Sequence, residues 1–116
     1  MNNVYQQGFT DHTFLDAAAA TAVSTAFNVL GYRDLTVEIS STTATATRTV
    51  SFYGAGASGT KHAITGIMFS AIGTAGTSTS GTGELWGFDI SGMTSVYMDL
   101  TAVSGDTVTA TGRAMA

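Results

Sequence analysis

A chain of 116 residues has the length of one ordinary domain and is too short to bury two independent cores. Charged side chains make up only 10% of it, and the net charge of −4 with so few cations excludes the clustered Lys and Arg of a phosphate-tracking nucleic-acid surface. Without cysteine there is no disulfide framework and no thiolate metal site, and no apolar run approaches the ~20 residues of a membrane span.

Thr, Ser, Gly and Ala stand where charge would be. Threonine favours strands, because its branched Cβ fits a pleated surface while its hydroxyl can face water. A surface so poor in charge has little to hold monomers apart, so an assembled state is expected.

Residues 1–13 are polar and aperiodic and read as an extended arm. The opening from Met1 to Gln7 lacks the basic head and apolar middle of a secretory signal, so synthesis in the cytoplasm is expected, with any export by another route. Tyr5, Phe9, Phe14 and Leu15 are the arm's candidate interface residues, since a purely solvated tail has little use for them. The alanine-rich run Phe14 to Ala22 is the one place where a short helix or turn can be argued. The chain therefore divides into an arm, residues 1–22, and a β domain, residues 23–116.

Beyond Ser24 the pattern turns to period two with glycine punctuation, the signature of strands and hairpins. Expected strands are Ser24 to Leu30, Leu35 to Ser40, Thr47 to Tyr53, His62 to Ser70, Glu84 to Ile90, Ser95 to Val103 and Asp106 to Arg113. Leu35, Val37 and Ile39 share one face, as do Val50 with Phe52, Trp86 with Phe88 and Ile90, and Val96 with Met98 and Leu100. Ser104-Gly105-Asp106 reads as a hairpin turn and Ser91 to Thr94 as the turn before it. The stretches Gly54 to Gly59 and Gly73 to Gly83 read as loops, the second being the most flexible by composition. Seven or eight short antiparallel strands imply a single β-sandwich, jelly-roll-like or Ig-like.

Candidate chemistry is thin. His12 and His62 lack a second ligand or an orienting carboxylate at recognisable spacing, and Glu38, Glu84, Asp89 and Asp99 read as solvent-facing strand carboxylates. Gly54-Ala55-Gly56-Ala57-Ser58-Gly59 matches G-x-G-x-x-G in letters only, because a strand and not a helix follows it. Asp89, Asp99 and Asp106 gather at one end if the strands pair as supposed, which would allow incidental calcium binding. Tyr5, Tyr32, Tyr53 and Tyr97 with Trp86 could line a sugar groove, although Trp86 suits the core better. No enzyme activity and no cofactor are expected.

In style and order the chain resembles small bacteriophage virion proteins in which an alanine-rich opening leads into a β-sandwich. The residues that carry the resemblance are Phe14 to Ala20, Gly31 to Ile39, Phe88 to Met93 and Asp106 to Gly112. It implies a structural role in the virion without an active site: a capsid decoration protein acting as a homo-oligomer, expected as a trimer, bound to the major capsid protein or a tail protein. Neither nucleic acid nor membrane is expected as a partner. Two other readings follow from the same residues, a tail-associated host-recognition or carbohydrate-binding module and a filament- or tube-forming subunit.

Overall fold

The computed structural model describes residues 8–116, so Tyr5 lies outside the described residues. Among these residues eleven strands follow in chain order: β1 (Phe9–Ala18), β2 (Phe27–Asn28), β3 (Asp34–Ser41), β4 (Thr47–Ala55), β5 (Lys61–Ala63), β6 (Gly66–Met68), β7 (Ala75–Gly76), β8 (Ser78–Thr79), β9 (Glu84–Asp89), β10 (Ser95–Ser104) and β11 (Val108–Met115). They form a β-sandwich of two antiparallel sheets. The six-stranded sheet has the order β1-β11-β3-β9-β6-β7, and the five-stranded sheet the order β2-β10-β4-β5 with β8 also on β4.

The alternating faces read from the sequence meet between the sheets. Leu35, Val37, Ile39, Trp86 and Ile90 from one side pack with Val50, Phe52, Val96, Met98 and Leu100 from the other, all fully buried. Phe52 crosses the gap to Trp86 and Phe88, with ring centroids 4.9 and 5.0 Å apart. After Val108, β11 turns only the small residues Ala110, Gly112 and Ala114 inward, and this slack is filled by Phe14, which lies where a Cβ on Gly112 would come within 2.7 Å of it.

Residues 9–18 are neither an arm nor a helix. They form the edge strand of the six-stranded sheet, paired with β11 from Phe9↔Met115 onward. Alanine's helix propensity is weak beside a ladder of main-chain bonds and two buried apolar side chains. The strand escapes period-two reading because its register slips between Thr13 and Leu15 and again between Leu15 and Ala18. Each bulge adds a residue, so the successive Phe14 and Leu15 are both buried. The second bulge puts Ala17 at φ 48°, a left-handed conformation unusual for alanine.

Three further expectations are corrected. β10 and β11 belong to different sheets, so Ser104-Gly105-Asp106 carries the chain across the sandwich and closes no hairpin. The expected strand His62 to Ser70 splits into β5 and β6, also in different sheets, because Gly66 must pass so close to Phe88 that a Cβ there would sit 2.5 Å from the ring. Of Ser24 to Leu30 only Phe27–Asn28 pairs as strand. Upstream, the Ser24 hydroxyl accepts the Met98 N–H at 2.9 Å, so a side chain stands in for the main-chain ladder.

Candidate interaction surfaces

Of the arm residues singled out in the sequence, Phe14 and Leu15 lie in the chain's own core. Phe9 is 55% exposed and lies over the Arg113 guanidinium, 4.2 Å from ring centroid to Cζ. Arg113 grips Asp11 with two bonds, Nε to Oδ1 at 2.7 Å and Nη2 to Oδ2 at 3.0 Å. The pairing holds the Asp11 carboxyl below its usual range and lifts the guanidinium above its own. His12 stacks on Phe27 at 4.8 Å, meets Phe14 edge-on at 4.8 Å and reaches Thr25 Oγ1 at 3.1 Å. It is an aromatic staple between the two sheets, explained fully by packing.

One side of the sandwich ends in a continuous strand and the other in fragments. The Ala116 N–H donates to the Gly8 carbonyl at 3.0 Å, and main-chain bonding then alternates along the regular stretch Phe9 to Thr13. The N–H and C=O groups of Phe9, Asp11 and Thr13 therefore point away from β11, toward an edge with no strand beyond it among the described residues. At the opposite margin β5, β7 and β8 are each two or three residues long. They come largely from the Gly73 to Gly83 stretch, which is pinned in both sheets.

The carboxylates do not gather at one end. Asp106 is buried at one end, where Oδ1 accepts from the main chain of Thr42, Thr43 and Thr107 and from the Thr42 hydroxyl, and Oδ2 accepts from Arg48 Nη1 at 3.0 Å. Burial pushes this carboxyl up most strongly of any single influence, but the Thr42, Thr43 and Thr107 donors together outweigh it and hold it below the usual carboxylate range. Arg48 also donates to the carbonyls of Thr43, Ala44, Ala46 and Gly81, tying three loops to one side chain. Asp89 instead caps its own turn by accepting the Ser91 N–H at 3.0 Å, which lowers its carboxyl.

Asp99 sits on the outer face of the five-stranded sheet yet is buried, against the expectation of a solvated carboxylate. It accepts from Ser24 N–H at 3.0 Å and from Lys61 Nζ at 2.7 Å. Lys61 in turn lies 5.0 Å from the Tyr53 ring centroid and 4.4 Å from that of Tyr97. Trp86 is core, its Nε1–H donating to Glu84 Oε1 at 3.0 Å, so it lines no sugar groove. Among the described residues no group of three or more His, Cys, Asp or Glu is placed to hold a metal ion. Gly54 to Gly59 ends β4 and turns into β5 as a hairpin, with Gly59 N–H donating to the Gly56 carbonyl at 3.1 Å.

The outer face of the six-stranded sheet is different in kind. Strand register sets its side chains in three cross-strand rows: Phe9–Met115–Asp34–Asp89, Asp11–Arg113–Thr36–Gly87–Ile67, and Thr13–Thr111–Glu38–Leu85. A hollow of about 510 Å³ lies over the polar part, lined by Asp11, Thr13, Thr36, Glu38, Thr111 and Arg113. A second, of about 340 Å³, adjoins it at Thr36 and is walled by Ile67, Phe69, Phe88 and Met115. Sequence reading missed this face because its residues come from five separated strands.

Fold and surfaces together define a β-sandwich whose conspicuous features are an open strand edge and an uncovered sheet face. The chain belongs to the XepA family, whose model matches residues 8–114. It is 36% identical over 97 residues to the SPbeta prophage-derived protein YomS of Bacillus subtilis strain 168, a match covering 84% of this chain and 80% of YomS. The phage-like element PBSX protein XepA of the same organism is 32% identical over 105 residues, and the chain spans only 37% of its length. The crystal structure of YomS superposes with a TM-score of 0.83 at 34% identity, covering 93% of both chains. That of the PBSX exported protein XepA gives 0.86 at 31% identity, covering 93% of this chain and 38% of XepA. The protein is thus phage-derived. Among the described residues no helix is long and apolar enough to cross a membrane.

Proposed function

We propose that the protein is a structural component of a phage particle, a homo-oligomer that docks on the major capsid protein or a tail protein, with capsid decoration as its specific task. The open β1 edge carries this reading: Phe9 to Thr13 present a regular, unpaired row of main-chain groups, a ready template for strand addition by another chain. The low charge of the surface fits docking through apolar and main-chain contacts. Kinship with prophage proteins supports the phage setting, and XepA's description as an exported protein supports action outside the producing cell.

Light scattering on the full chain and on Thr13→Pro tests the reading. Proline at position 13 removes an N–H that points to the open edge while sparing the bonds to β11. A discrete oligomer that weakens in the variant is the expected result. A wild-type monomer that also fails to bind phage capsids or tails in sedimentation would overturn it.

A further inference from the structure

We propose that the outer face of the six-stranded sheet is a binding groove for a neutral polysaccharide, lying beside the open edge proposed for assembly. The argument begins at Gly87. A Cβ there would run into the Phe69 ring, so glycine lets that ring lie flat on the sheet. Phe69 is fixed in place by its N–H, which donates to the Leu85 carbonyl at 2.8 Å, and it stays 54% exposed. An aromatic laid face-down on a strand and left uncovered offers its other face to a flat, weakly apolar partner. Ile67, 56% exposed, extends the platform.

Beside it, across Thr36, lies the polar hollow. Its Thr13, Thr36 and Thr111 hydroxyls and the Glu38 carboxylate make no side-chain hydrogen bond among the described residues, whereas Arg113 is already engaged by Asp11. Among the described residues the groove therefore offers acceptors and hydroxyls but no unpaired Lys or Arg, with Asp34 facing Asp89 at its rim. Phosphate-bearing and other anionic ligands are disfavoured. A pyranose ring matches both halves at once, with a C–H face for Phe69 and a hydroxyl edge for Glu38 and the threonines. Together the hollows fall in the volume range of small-molecule sites, roughly 300–1,000 Å³.

The test is affinity electrophoresis of the full chain through gels containing a soluble β-glucan, a mannan or glycol chitin. Retardation by at least one of them is expected, weakened about tenfold or more by Phe69→Ala and by Glu38→Gln, and unchanged by Tyr53→Ala on the opposite sheet. Circular dichroism confirms that each variant is folded. The proposal is overturned if none of the three polymers retards the wild type, or if Phe69→Ala and Glu38→Gln migrate as it does. It is overturned equally if Phe69→Ala binds nothing but dissociates an oligomer, since the groove would then be a subunit contact. Loss of oligomer in Phe9→Pro, which removes an edge N–H at a position lining neither hollow, with glycan binding intact separates this site from the assembly edge.

Discussion

The two outer faces of the sandwich are built from the same alternating strands but are finished differently. On the five-stranded sheet, Asp99 is closed over by Lys61, the Tyr53 and Tyr97 rings and the Ser24 main chain, so its charge is spent inside the fold. On the six-stranded sheet, Glu38 is solvent-facing and Phe9, Ile67 and Phe69 remain more than half exposed. An outward position in a strand thus says nothing about whether the residue serves the fold or a partner. What decides is whether another segment of the chain is laid over it.

That contrast can be broken by mutation. The largest effect is expected from Asp99→Ala, which orphans the Lys61 ammonium and the Ser24 N–H and should cost roughly 2–3 kcal/mol, read from urea unfolding. A midpoint unchanged by Asp99→Ala would show that the closed face is no more structural than the open one. Acid should loosen the Arg48 end next. Asp106 has a lowered folded pKa, so its contribution is complete above the unfolded value of about 3.9 and is lost as pH falls through the lower folded value. The urea midpoint should drop over that window in the wild type and less steeply in Asp106→Asn.

On the open face, Phe69→Ala should cost under about 1 kcal/mol, because half the ring is already in water. A larger loss would place Phe69 among the groups that hold the fold. Ala17→Gly should stabilise by about 0.5 kcal/mol by relieving the left-handed backbone at the second bulge. Arg113→Ala should leave the midpoint nearly unmoved, since its pair with Asp11 is exposed on both sides.

Much of the sandwich was legible before any coordinates. β3, β4, β9 and β10 lie where alternation placed them, with the same residues turned inward, because period two is a direct record of a half-buried strand. β1 was misread because its two bulges erase that record where Phe14 and Leu15 enter the core. The fragments β5 to β8 were blurred for another reason: a strand of two or three residues is too short to show a period. None of the candidate surfaces could be read as a unit. The groove joins positions from Asp11 to Met115, and the Asp99 latch joins Ser24 to Lys61 and Asp99.

By itself the sequence determined that this chain is an all-β sandwich packed without disulfides and poor in charge, since composition and local periodicity act through each residue's own propensity and hydropathy. Tertiary structure alone decided which strands share a sheet, that residues 9–18 complete a sheet instead of trailing as an arm, and which carboxylates are latched shut. Those outcomes depend on contacts between residues far apart along the chain, and register and crossing, not local pattern, set which of them meet.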